Sequence, residues 1–212
     1  MPAAADDPVR ALTVRRNDAA SMIALRMDNG AVVKLLQVGL RGHGVWVRIH
    51  GSRGQMENLR HGDTNMVRLR IERYHEKGAR PVDRTYLPRF PAHHARALKA
   101  GHGGGDFFMN YHFAQAIRTG EQPYLDVYRG VAMSIVGILA YRSALHDSNM
   151  LEVPDFRRPS VRRRYAHDDW SPDPAKRRPG QPWPSILGGI KPTEQGLRYA
   201  RKIWKSIGYD GE

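Results

Sequence analysis

The chain has no cysteine in 212 residues, which removes disulfides, thiolate nucleophiles and cysteine-ligated metals from the chemistry open to it. It also lacks a long apolar run. No stretch without a charge exceeds 12 residues, and one of that length, Gly130 to Tyr141, falls short of the roughly 20 that span a bilayer, so it reads as a buried helix. The opening Met1-Pro2-Ala3-Ala4-Ala5-Asp6-Asp7-Pro8 has neither the basic region nor the apolar core of a signal peptide. A cytoplasmic protein with no membrane partner is expected. Acidic residues are scarce, 21 against 34 Lys and Arg, for a formal net charge of +13. Such an excess suits a partner rich in phosphate or carboxylate, and nucleic acid is the first candidate to test. No zinc-finger spacing, basic zipper or RNA-binding aromatic signature is present, and the arginines are scattered, so nucleic acid is not the expected partner. His93, His94 and His112 have no carboxylates at metal spacing, and no metal is expected.

From Val9 to Tyr74 the pattern is that of strands. Met22–Met27 and Ala31–Leu36 flank Asp28-Asn29-Gly30, and Asn-Gly between β-prone runs predicts a hairpin with a type I′ turn, which needs positive φ at both residues. Val45–His50 and Gln55–Leu59 flank a second turn, Gly51-Ser52-Arg53-Gly54. Met66–Arg73 alternates, with Val67, Leu69 and Ile71 on one face and Arg68, Arg70 and Glu72 on the other, which implies a sheet wet on one side and covered on the other. After a polar connection the period changes to helical. One helix is predicted over about 106–119, capped by Asp106, and another over about 127–146, capped by Asp126. The second is apolar around much of its circumference, so it should pack on several sides.

The hexapeptide Gly101-His102-Gly103-Gly104-Gly105-Asp106 closes onto the first of these helices. Glycine permits positive φ and a close main-chain approach, so the segment is either a structural turn or a ligand loop. It is not a dinucleotide fingerprint. Asp106 stands where the third glycine belongs, no strand precedes it, and its carboxylate would repel a pyrophosphate. Beyond Phe156 the chain becomes Pro- and Arg-rich. Arg162, Arg163 and Arg164 form either a solvated run or an anion site, and Trp170, Trp183 and Trp204 are too costly to leave wet, so this arm should lie on something. A terminal helix is predicted over Thr193–Ile207, capped by Thr193. The expected organisation is one domain over 1–156, with its sheet in 9–74, and a basic arm over 157–212. The fold class is α+β: an open, largely antiparallel sheet with helices packed on one face.

Several segments in order carry a family likeness. Gly101–Phe108, Ala116-Ile117-Arg118-Thr119-Gly120-Glu121-Gln122-Pro123, Asp126-Val127-Tyr128 and Val153-Pro154-Asp155-Phe156, with the hairpin and Arg48–Gly54, resemble the C-terminal half of Gfo/Idh/MocA-family oxidoreductases. The match is closest to the branch containing NAD-dependent α-N-acetylgalactosaminidases. The resemblance implies a domain supplying a substrate wall and an oligomer surface, beside a Rossmann domain that binds NAD(P). It implies a sugar or glycoside substrate, with His102 contacting it, Asp106 capping or supporting His102, and Tyr111 facing the same pocket or the core. The chain has no Gly-rich strand-to-helix fingerprint, no Glu-Lys-Pro with the family's Lys, and no counterpart of the Asp and His helix. A truncated or split chain is therefore expected, binding no cofactor alone, using a companion Rossmann subunit and forming a homo-oligomer through its sheet. The alternatives are a non-catalytic carbohydrate-binding or assembly protein, and an anion- or nucleic-acid-binding module on Arg162–Arg164.

Overall fold

In the computed structural model, residues 17, 18, 20–38, 44–206 and 208 are described, and the strand pattern expected from Val9 to Arg16 lies outside them. Contacts group the chain into two units, Arg41–Tyr124 and the remainder. This division falls inside residues 1–156, and the arm beyond 157 belongs with the second helix.

Met22 to Leu36 forms the predicted hairpin, β1 (Ala20–Arg26) against β2 (Val32–Val38), antiparallel with Met22 opposite Leu36. Its turn is not type I′. Gly30 N donates to Met27 O at 3.0 Å, Met27 N to Ala31 O at 2.8 Å, and Gly30 is left-handed at φ 85°. Asn29 is not among the residues of positive φ; its Oδ1 instead accepts from Ala31 N at 3.0 Å. This is the three-residue loop in which one glycine forms a bulge, so Gly30 alone supplies the positive φ.

The other unit holds a separate antiparallel sheet in the order β3 (Arg48–Gly51), β4 (Gly54–Asn58), β5 (Val67–Ile71), β6 (Val82–Tyr86). The expected α+β class and antiparallel pairing hold, with the strands divided between two sheets instead of one, and β6 extends the second into the stretch read as a connection. The alternation of β5 sorts the faces as expected. Arg48, Glu57, Arg68 and Asp83 share the polar face, with Arg48 bound to Glu57 at 2.7 Å and Arg68 to both oxygens of Asp83 at 3.0 and 2.8 Å. Ile49, Met56, Leu69 and Ile71 share the other, and Ile49 is half exposed. Asn58 prolongs the ladder past β3: its side chain accepts from Val47 N at 2.7 Å and donates to Val45 O at 2.9 Å.

Helix α1 (His94–Ala97) and α2 (Gly105–Thr119) follow β6 and pack on each other. In the other unit α3 (Val127–Ala144) starts at Asp126, whose carboxylate accepts from Arg129 N at 2.8 Å. That bond, with the charges of Arg157 and Arg129, holds the Asp126 carboxyl below the usual carboxylate range. A depressed value means the cap is intact above the ordinary carboxylate pKa and is lost as pH falls through the lowered one. Asp126→Ala should therefore speed amide exchange over residues 127–130 at neutral pH, and the difference from the parent chain should vanish in strong acid.

Only Leu139 is buried on α3, while Val127 and Met133 are each 69% exposed. The expectation of packing on several sides fails because this unit covers one side of the helix, through the arm. Arg142 Nη2 donates to both oxygens of Asp168 at 2.7 Å, Trp170 lies 5.9 Å from the Tyr141 ring, and Tyr141 donates its hydroxyl proton to Trp183 O. Farther along, buried Ser185 donates to Asp18 Oδ1 at 2.7 Å, and Ile186 N to Oδ2 at 3.1 Å. The arm carries α4 (Pro159–Arg164) and ends in α5 (Glu194–Ser206), which Thr193 caps by accepting from Gly196 N at 3.0 Å. Gly196 and Ala200 turn the small side of α5 inward. Among the described residues no helix is long and apolar enough to cross a membrane.

Candidate functional site

The glycine-rich loop is built from its backbone outward. His93, at φ 57°, starts α1, with Arg96 N and Ala97 N donating to its carbonyl at 3.0 and 2.9 Å. Ala97 is fully buried, and Gly104 packs beside it. A Cβ on Gly104 would stand 2.8 Å from Phe90 Cε2 and 3.2 Å from Ala97 Cβ, so the glycine is required by space as well as by its φ of 99°. His102, Gly103 and Gly104 are consecutively left-handed, at φ 53°, 62° and 99°, in a single 3₁₀ turn. A non-glycine residue in that region is strained. His102 is held there by its side chain.

That turn brings His102 Nδ1 to 2.9 Å from both Asp106 Oδ1 and Oδ2. Gly101 makes room, since a Cβ there would fall on Asp106 Oδ2. Asp106 is therefore not the helix cap. α2 begins one residue earlier, at Gly105, with Gly104 in the cap position making no side-chain bond. The carboxylate pairs with the imidazole instead, in the first turn, where a negative charge also suits the helix dipole. The His102 side chain is 86% exposed, and among the described residues its Nε2 has no hydrogen-bond partner on the protein.

The Asp106 hydrogen bond, and then its charge, raise the His102 pKa above the ordinary imidazole value. A raised value places the stabilising bridge fully below the unfolded imidazole pKa and removes it as pH rises through the folded one. Asp106→Asn keeps the shape and removes the charge. The His102 ring resonances should then titrate at lower pH than in the parent chain, and an unchanged midpoint would contradict the pairing.

Tyr111 is brought elsewhere. Five residues along α2 it stands about 140° around the helix from Asp106, half-buried, stacked on Phe107 at 5.8 Å and 4.7 Å from the His93 ring. Its hydroxyl accepts from Gln115 Nε2 at 2.9 Å. The structure joins His102 and Asp106 and leaves Tyr111 in an aromatic cluster with Phe107, Phe108 and Phe90. The three arginines also part company. Arg162 Nη1 donates to Phe156 O at 2.7 Å and Arg157 O at 2.9 Å, Arg164 lies over the Tyr165 ring at 5.4 Å, and Arg163 is exposed. Among the described residues no three His, Asp or Glu side chains gather as a metal ion requires.

A family model described as glycosyl hydrolase 109, C-terminal domain, matches residues 4–163. The chain is 43% identical over 61 residues to the glycosyl hydrolase family 109 protein 1 of Shewanella sp. (strain ANA-3), which is 29% of this chain and 13% of that protein. With the same coverage it is 41% identical to the alpha-N-acetylgalactosaminidase of Shewanella oneidensis. A family 109 protein of Shewanella pealeana is 43% identical over 58 residues, 27% of this chain and 13% of its own length. The matched segment thus spans about an eighth of these relatives. No solved structure matches.

Proposed function

The chain belongs to the glycosyl hydrolase 109 C-terminal domain family, and from that premise we propose that it is the substrate-binding and oligomerisation domain of an NAD(P)-dependent glycosidase or sugar oxidoreductase. The substrate class is an N-acetylgalactosamine-type sugar or glycoside, following the name of one relative. The observation that carries this reading is the exposed His102–Asp106 pair on a left-handed glycine turn. With its Nδ1 proton donated to Asp106, a neutral His102 offers Nε2 as an acceptor for a sugar hydroxyl; protonated, it offers an N–H donor. Asp106 orients the ring and selects between these states.

The described residues do not fit the dinucleotide. A helix N-terminus that receives a pyrophosphate presents free N–H groups and no carboxylate, whereas Asp106 occupies the first turn of α2. The cofactor, with the hydride chemistry it supplies, would sit on a Rossmann domain of the full protein or of a companion subunit. The apolar face of the β3–β6 sheet supports assembly through a second copy, since Ile49, Met56 and Ile71 are 53%, 38% and 37% exposed on it.

Titration calorimetry of the full chain with N-acetylgalactosamine and separately with NAD tests this reading. Sugar binding is expected, and His102→Ala should weaken it by about tenfold to a hundredfold, the range for a hydrogen bond to a charged group. Sugar affinity unchanged by His102→Ala would remove the site. Tight NAD binding by the chain alone would overturn the assignment of the cofactor to another domain.

A further inference from the structure

Two adjoining cavities, of about 380 and 260 Å3, open in the α3 unit and share Glu152, Pro154 and Arg164. Leu139, Pro154 and Val161 are buried beneath them, while Arg142, Arg158 and Arg164 bring cations to their walls and Glu152 and Asp155 bring carboxylates, Asp155 facing Arg157 at 3.9 Å. Three segments meet here: α3, the stretch after it that carries Glu152, and α4.

The polar groups differ in how far they are already engaged. Arg142 is fixed by Asp168 and by the Trp170 ring, 4.7 Å from its Cζ. Glu152 and Arg158 line the space, and among the described residues neither forms an ion pair. Arginine forks match the planar oxygens of a carboxylate or phosphate, a glutamate accepts from hydroxyls, and buried aliphatic side chains meet C–H surface. An inorganic anion would use only the first of these features. A neutral sugar would leave the arginines unanswered.

We propose that these cavities bind an acidic monosaccharide, a hydroxylated ring carrying one carboxylate or phosphate, with Arg158 and Arg164 on the anionic group and Glu152 on ring hydroxyls. The site shares no residue with the His102 loop.

Calorimetry on the full chain with galacturonate and with galactose 6-phosphate tests it, against galactose and inorganic phosphate. At least one acidic sugar should bind tenfold or more tightly than both controls, and which one does so separates carboxylate from phosphate recognition. Arg164→Gln and Arg158→Gln should each weaken that binding tenfold or more, and Glu152→Gln should narrow the margin over inorganic phosphate. Circular dichroism confirms the fold of each variant; if one arginine variant fails to fold, the other carries the test. His102→Ala should leave this binding unchanged. Acidic sugars no better than the controls, inorganic phosphate binding as well as either sugar, or affinity indifferent to the folded arginine variants would each overturn the proposal.

Discussion

Replacing Gly54 with alanine is expected to open the β3–β6 sheet between β4 and β5. A Cβ at that position would fall on the Arg70 carbonyl oxygen and stand 3.0 Å from Ile71 Cα. Both obstacles are backbone, so no rotamer change relieves them. Steric insertion into a packed site costs roughly 1–3 kcal/mol; here the added atom also pushes apart two paired strands, and about 2–4 kcal/mol is the expected loss. The topology amplifies it. With β4 parted from β5, the four-stranded sheet falls into two hairpins, and an isolated hairpin is marginal at best in water. Amide exchange should lose protection across 54–58 and 67–71 together, and the melting temperature should fall by about 10 °C or more. Gly51→Ala is the control: its Cβ would meet nothing nearer than Gly54 O at 3.8 Å, so the same substitution one turn away should be tolerated.

The second large effect is at Gly104. Alanine there meets two penalties at once: a left-handed backbone at φ 99°, worth roughly 1–2 kcal/mol, and overlap with Phe90 and Ala97 at 2.8 and 3.2 Å. Together about 2–4 kcal/mol is expected. Gly103→Ala separates the two penalties. It shares the left-handed backbone, at φ 62°, but a Cβ there meets nothing within 4 Å, so it should cost about 1–2 kcal/mol and keep the loop. If Gly104 positions His102, then in Gly104→Ala the His102 pKa should drop toward the ordinary imidazole value while Gly103→Ala keeps it raised. Equal stability and equal pKa in the two variants would mean that the packing of Gly104 against Phe90 does not hold the site.

How far the sequence could be read depended on whether a feature is local. Asp126 and Thr193 cap the helices they were expected to cap, because a side-chain oxygen and an N–H three residues on are neighbours in sequence. The hairpin at Asn29-Gly30 was legible for the same reason, and only the turn type changed, since one left-handed glycine suffices in a three-residue loop. β6 was not legible. Val82-Asp83-Arg84-Thr85-Tyr86 alternates weakly, and its pairing is fixed by partners across the sheet, Val67 opposite Tyr86 and Asp83 bound to Arg68.

The His102 loop shows both cases. Its glycines marked an unusual backbone, while Asp106 read first as the helix cap and only secondarily as a support for His102. The helix start moved by one residue because Gly105 already adopts helical dihedrals at φ −57°, which freed Asp106 for the imidazole. Tyr111 was ambiguous in sequence because a spacing of five residues falls between two faces of a helix. Glu152, Arg158 and Arg142 carried no signal at all, since only the folding of the arm onto α3 places them together.

The most direct measurement is a titration of the isotopically labelled chain with N-acetylgalactosamine, following the imidazole resonances of His102 at a pH below its raised pKa. The predicted result is a saturable shift at His102, smaller in Asp106→Asn, with the rings of His112 and His167 unmoved. A His102 signal that stays put at saturating sugar, or a shift spread equally over all three histidines, would contradict the assignment of this loop to the substrate.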